Sequence, residues 1–235
     1  MTTDASNTDP AYLQVASAIR VMIINGDLAP GQRLPVEAEL AVKYKVSRST
    51  VREALRVISS QDLVQTVRGV NGGTFVKQQE TAHVTDALEQ GLGLLASTER
   101  VTVDELLEVR EILEVPATRI AARRITPEML RELERTVEHP DNEGFDHHRQ
   151  FHVTLIKAAG NRLLEVVTTP IFEVLRTRFL RDGAQDGFWD DVQHDHARIV
   201  AAIRANDAAS AADEMLVHLR NLRSTYVEID RERLR

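Results

Sequence analysis

From Ala82 to the C-terminus, apolar residues recur at every third or fourth position, glycines are few, and no segment reads convincingly as a strand. A stretch with that period buries its apolar stripes by packing helix on helix, which predicts an antiparallel bundle of six or seven helices. The expected breaks fall where turn formers gather: Ser97 to Arg100, Thr126-Pro127, His139 to Asn142, Gly160-Asn161, Asp182 to Gly187 and Asn206-Asp207. No internal repeat or low-complexity tract is visible.

The part before it follows another pattern. Residues 10 to 25 read as a helix, with Leu13, Ala16, Ile19 or Arg20 and Ile23 at helical spacing, ended by Asn25-Gly26 and Pro30-Gly31. Pro35 is expected to open a second helix through Leu40 and Tyr44, and Ser47 to cap a third that runs to about Ser60. Two helices joined by three or four residues suggest a helix-turn-helix. Leu63 to Val67 and Thr74 to Lys77 then bracket a Gly/Asn turn from Arg68 to Gly73, two short strands that make a wing. The chain is therefore predicted to be mainly α. A winged helix-turn-helix covers residues 1–79 and an all-helical bundle covers 80–235.

Charge separates the two parts. The whole chain carries −7, but residues 1–79 hold nine Lys and Arg against seven Asp and Glu, so the first part is positive and the acidity lies beyond it. Only the first part favours nucleic acid. The longest apolar runs, such as Val21 to Ile24, are far too short to span a bilayer. The polar, acidic start lacks the pattern of a secretory signal, so a cytoplasmic protein is expected. There is no cysteine, which removes disulfides, thiolate zinc and cysteine nucleophiles and leaves any metal to His, Asp or Glu.

On the third helix Val51, Ala54, Leu55 and Ile58 fall at i, i+3, i+4 and i+7 and face the core. The opposite face presents Arg48, Ser49, Arg52 and Arg56, with Lys43 and Lys45 just before, so five cations meet one acid, Glu53, between residues 43 and 56. Arginines near a helix N-terminus can reach guanine O6 and N7, whereas Ser49, Thr50 and the lysines suit phosphate or thymine contacts. A helix considered alone could carry the same charges merely as a solvated face; the preceding helix and the following wing favour a DNA reader. Arg33, ahead of the second helix, and Arg68, in the wing turn, extend the expected DNA-contacting set. Gly72 and Gly73 have no side chain to obstruct a phosphate or groove wall.

Gly26 to Gly31, Leu34 to Ala41, Val46 to Leu55 and Gly73 to Val76 together resemble the GntR family of bacterial regulators over most of residues 10–77. The resemblance implies a homodimer on a palindromic double-stranded operator, with Arg48 and Arg52 on bases, Ser47, Ser49 and Thr50 near phosphates, and the wing glycines at the minor groove. Many relatives have Arg where this chain has Ala38, which removes a common contact.

In the second part, His148 and His152 are i and i+4 on one face, and His152 shares that face with Leu155 and Ile156. His196 has Ile199, Val200 and Ile203 one and two turns on, and His218 lies between Met215 and Leu222. All four are expected to point inward. His194, His83 and His139 are expected at the surface, and His147 is ambiguous. Any one inward imidazole is more simply a hydrogen-bonded core histidine, but four from three helices could hold a divalent metal. Nitrogen ligands favour zinc, or nickel, over calcium or magnesium. Arg110 also falls on an apolar face. Either Glu114, one turn along, pairs with it internally, or it clamps a ligand carboxylate that also coordinates the metal.

Leu107 to Glu114, Phe151-His152 followed by Ala159 to Asn161, His196 to Ile199, and Asp207 to Ala211 ending at His218-Leu219 resemble the FCD sensor domain of the FadR subfamily, over about residues 82 to 230. That resemblance implies metal ligation by His152, His196 and His218, a small organic acid completing the shell, and release from DNA as the response; Asn161 joins Arg110 as a ligand-binding candidate. The fourth family ligand is commonly Asp, at the position held here by His148. A neutral ligand there leaves the metal more positive and favours an anionic effector. The reading is a ligand-responsive repressor rather than an enzyme. A metal-free fatty acyl-CoA sensor and a metal-dependent hydrolase on a DNA-binding module, with Glu114 or Asp146 as its base, are the alternatives.

Overall fold

The computed structural model describes residues 9–70, 72–78, 80–98, 101–138, 145–179 and 187–233. The chain divides into two compact units, Met1–Glu80 and Thr81–Arg235. In the first, α1 (Ala11–Ile24), α2 (Glu37–Tyr44) and α3 (Arg48–Ser60) precede the antiparallel strands β1 (Val64–Val67) and β2 (Gly73–Val76). Val15, Ala16 and Ile19 of α1 meet Leu40 of α2, Val51, Ala54 and Ile58 of α3, and Val64 and Val76 of the wing in one apolar core. Val51, Ala54 and Ile58 are fully buried and Leu55 half-buried, which leaves the cationic stripe of α3 outside.

Ser47 caps α3 as its chemistry predicts, its Oγ accepting from the Thr50 N–H at 3.1 Å. Lys45 ends α2 in the left-handed region, φ +55°, which reverses the chain between the two helices. α2 begins later than expected, at Glu37. Pro35 stands two residues ahead of it, and the exposed N–H of Val36 is taken by the Glu39 carboxylate at 3.1 Å. A second difference is the segment before it. Gly31 N–H and Leu34 N–H donate to Val76 and Thr74, and Val76 N–H returns to Gln32, so residues 31 to 34 run along the free edge of β2.

The second unit has seven helices among the described residues: α4 (Thr81–Ser97), α5 (Val103–Arg124), α6 (Pro127–Glu138), α7 (Phe145–Ala158), α8 (Arg162–Phe179), α9 (Phe188–Arg204) and α10 (Ala208–Arg233). Ion pairs and side-chain hydrogen bonds fix the sense of packing. Asp104 meets Arg223 at 2.9 Å and Glu111 meets Arg220 at 3.7 Å, so α5 and α10 are antiparallel; Asp195 with Asn221 and Arg198 with Glu214 set α9 against α10 in the same way. α7, by contrast, runs parallel to α5, since Arg110 meets His148 and Glu114 meets His152. α6 carries the chain back between them. Among the described residues, no helix is long and apolar enough to cross a membrane.

Candidate functional site

The first unit gathers most of the predicted DNA contacts around α3. Arg48, Ser49, Arg52 and Arg56 are all exposed. The Ser47 hydroxyl lies 2.7 Å from both the Ser49 and the Thr50 hydroxyl, so three hydroxyls crowd the helix N-terminus, where backbone N–H groups favour an anion. Two arginines have acidic partners. Arg56 donates once to Glu53 along its own helix, at 3.2 Å. Arg52 donates twice to Glu37, from Nε to Oε1 at 3.2 Å and from Nη2 to Oε2 at 2.8 Å. Spacing along the chain shows Glu53 as the acid among these cations; Glu37 joins it only because α2 carries it onto the same face.

Lys43 does not join this group. Its ammonium turns to Met22 Sδ on α1, 3.6 Å away, and lies 5.5 Å from the centre of the Tyr44 ring. Arg68 is exposed at the start of the wing turn, and Arg33 is exposed on the segment that flanks β2. The two wing glycines have reasons internal to the fold. A β-carbon on Gly72 would stand 2.4 Å from the Val67 carbonyl oxygen, and one on Gly73, at φ +155°, would stand 2.5 Å from Arg33 Nε.

The second unit buries four imidazoles at one point. α7 supplies His148 and His152, α9 supplies His196 and α10 supplies His218; each is fully buried. One ring nitrogen of each can be chosen so that all four lie within 4.8 Å of one another. His152 Nε2 faces His218 Nε2 at 3.2 Å, and neither ring nitrogen of His196 has a hydrogen-bond partner, nor has His148 Nδ1. Unsatisfied buried nitrogens carry a desolvation cost that coordination would remove. Phe151 stacks on His196 with ring centres 3.8 Å apart, shielding one side.

His218 Nδ1 lies 3.2 Å from Asp195 Oδ2, which also accepts from Asn221, while Oδ1 takes Arg198 at 2.7 Å. That carboxylate holds the proton on Nδ1 and aims the Nε2 lone pair at the other imidazoles, the usual support for a metal-bound histidine. Burial raises the Asp195 carboxyl, but hydrogen bonds from His218 and Asn221 and the Arg198 charge outweigh it and hold it below its usual range. Burial pushes His148, His152 and His196 well below the ordinary imidazole range, and His218 also down against the opposing pull of Asp195. Neutral imidazole is the ligating form. The four residues therefore offer four neutral nitrogen donors close enough together to share one metal ion.

Next to it, Arg110 and Glu114 are fully buried on α5. Arg110 Nε lies 2.5 Å from Glu114 Oε1, and its two terminal nitrogens each lie 3.5 Å from His148 Nε2. The guanidinium sits over the Phe172 ring, 5.1 Å from its centre. The other Glu114 oxygen lies 2.5 Å from His152 Nδ1, out of line for a hydrogen bond. Burial pushes the neighbouring Tyr226 phenol up to about 12, against the Arg110 charge. The internal ion pair expected as one alternative is thus present.

Asn161 is placed differently. It is exposed, and its side-chain oxygen caps α8 by accepting from the Leu164 N–H at 3.2 Å. His83 and His194 are exposed and His147 is half-buried, bonded to Gln193 at 2.8 Å; His139 lies outside the described residues. Asp195 was missed, although Val192, Asp195 and Ile199 share one inward stripe of α9.

Comparison with known proteins agrees with both units. Residues 11–76 match the bacterial regulatory proteins of the gntR family, and residues 105–221 match the FCD domain. The HTH-type transcriptional regulator LutR of Bacillus subtilis is 31% identical, over 86% of this chain and 94% of the relative. The Uxu operon transcriptional regulator of Escherichia coli K12 is 27% identical, over 95% of this chain and 90% of the relative. Among solved structures, a Streptococcus agalactiae GntR protein superposes with a TM-score of 0.60 at 27% identity, covering 91% of this chain and 99% of that one. These are transcription regulators and not enzymes, which sets aside the metal-dependent hydrolase.

Proposed function

The chain belongs to the GntR family of DNA-binding transcription regulators and carries an FCD domain, and from that premise we propose that it is a repressor whose hold on its operator is set by a metal ion and a small carboxylate in the helical unit. The observation that carries this reading is the convergence of four fully buried imidazoles from three helices, with His196 unpartnered at both nitrogens. His148, His152, His196 and His218 would hold zinc, with nickel as the second candidate. The ion would supply a Lewis-acid charge that attracts a carboxylate.

The residues around the site favour an anion as effector. Four neutral ligands leave a dication with its full charge, the Arg110 guanidinium lies 3.5 Å from His148, and among the described residues Glu114 is the one carboxylate paired with that guanidinium. A ligand carboxylate would therefore offset charge that the protein leaves in excess, either sharing Arg110 with Glu114 or taking its place. A metal-free fatty acyl-CoA sensor has no use for such a centre.

At the DNA end, the regulator works as a cytoplasmic homodimer on a palindrome, since one recognition helix covers only a few base pairs and symmetry doubles the site. Arg48 and Arg52 read bases, Ser47, Ser49 and Thr50 approach phosphates, and Arg33, Arg68, Gly72 and Gly73 belong to the wing side of the interface. Effector and DNA then oppose each other through one shared coupling free energy, about 1 to 3 kcal/mol in allosteric proteins.

The test is titration of the purified protein with zinc, then with a panel of small carboxylates, then with an operator duplex selected from a random pool. His152→Ala should lose metal and carboxylate binding together and still bind DNA. Arg110→Ala should keep the metal and bind the acid more weakly. Full zinc occupancy in His152→Ala would leave the imidazoles as core groups and refute the metal reading.

A further inference from the structure

A carboxylate on a surface meant for DNA is a liability, because it repels phosphate and cancels one of the cations that draw the duplex in. Glu37 is such a carboxylate. It stands at the first turn of α2, with its two oxygens on Arg52 Nε and Nη2 at 3.2 and 2.8 Å. Folding stability accounts for little of it, since Arg52 is exposed and Glu37 only half-buried, and a pair so placed, even at a helix N-terminus, contributes at most about 1 kcal/mol. The hydrogen bond from Arg52 and the charges of Arg52 and Arg48 outweigh what burial there is, so the carboxyl is held below its usual range and stays ionised at neutral pH.

A guanidinium has two edges that can donate in parallel: the side formed by Nε and Nη2, and the end formed by Nη1 and Nη2. Glu37 takes the side. The end remains, and its paired N–H groups match guanine O6 and N7. Arg56, on the same face, has only a single bond to Glu53 and keeps its freedom. We propose that Glu37 is the positioning residue for Arg52. It presents the end edge to the major groove, and by facing the side edge with negative charge it denies that edge to phosphate. The acid thus exchanges indiscriminate attraction for base selectivity.

The inference rests on the reading of Arg52 as a base contact, and the two can fail separately. The measurement is fluorescence anisotropy of the full chain with the best duplex selected from a random pool and with a scrambled duplex of equal length. Glu37→Gln keeps the size and most of the polarity of the side chain while removing its charge. Its affinity for scrambled DNA should rise while its affinity for the selected duplex falls, so that selectivity drops by about tenfold. Repeating the selection with this variant should relax the requirement for guanine at one position in each half-site.

Equal gains on both duplexes would show that Glu37 only repels DNA, and equal losses that it only supports the fold; either overturns the proposal. Arg52→Ala is the second arm. If it loses selectivity while Glu37→Gln keeps it, the positioning role alone is wrong. If Arg52→Ala weakens both duplexes equally, Arg52 is a phosphate contact and the reading beneath the proposal fails. In the Arg52→Ala background, Glu37→Gln should raise both affinities by the same factor and change selectivity no further.

Discussion

Glu114→Gln isolates the charge inside the helical unit. The substitution keeps volume and shape but leaves the Arg110 guanidinium, fully buried, without the carboxylate that lies 2.5 Å from its Nε. Among the described residues no other anion replaces it: the guanidinium meets His148, whose imidazole burial pushes well below its ordinary range, the Phe172 ring and the Tyr226 phenol, which burial raises to about 12. Removing one partner of a buried pair costs about 3 to 5 kcal/mol, most of it the penalty for the orphaned charge. For a unit of this size each kcal/mol moves the midpoint by about 2 to 4 °C, so Tm should fall by roughly 6 to 20 °C. Circular dichroism at 222 nm on metal-free protein measures it. The double change Arg110→Met with Glu114→Leu should recover most of the loss, as an apolar pair of similar volume carries no stranded charge. If Glu114→Gln costs less than about 1 kcal/mol, water or a counter-ion already reaches Arg110, and the claim that this guanidinium needs an internal or ligand anion is refuted.

Three further outcomes follow from local geometry. Asp195→Ala removes the acceptor on His218 Nδ1 and should lower zinc affinity about 10- to 100-fold by isothermal titration, with unchanged affinity showing that the carboxylate does not orient the ring. Gly73→Val places a β-branched residue at φ +155° against Arg33, and should destabilise the first unit by about 1 to 3 kcal/mol in urea unfolding even with no DNA present; an unchanged midpoint would return Gly73 to a role at the DNA alone. Ile58→Ala opens a cavity under α3 and should cost about 2 to 5 kcal/mol, seen as early loss of the first unit in chemical denaturation.

The helices and the inward or outward sense of their residues were legible because they depend on near neighbours. Ser47 caps, Val51, Ala54 and Ile58 face in, and the four histidines point to the core, each by spacings of three or four. The i, i+4 relation of Arg110 to Glu114 was equally visible. What depended on packing between elements was not. Residues 31 to 34 hold too few residues, with a glycine and a turn before them, to show their pairing with β2, which lies some 40 residues on. Glu37 reaches Arg52 only through the angle between α2 and α3, and the parallel run of α5 and α7 requires knowing where α6 returns. Asp195 is an exception. Its stripe with Val192 and Ile199 was readable, but an acid on an inward face attracts notice only when the base it serves has been found.

The centre in the second unit is made of imidazole alone, in a chain that has no cysteine. Thiolate ligands are lost to disulfides and sulfenic acids when the surroundings turn oxidising, and a metal held by them is then expelled. Imidazole at a buried site has no corresponding ladder. With the proposed metal and acid bound at such a centre, the response would be the same in a reducing and in an oxidising medium, separate from the redox signals that cysteine-based metal sites pass on.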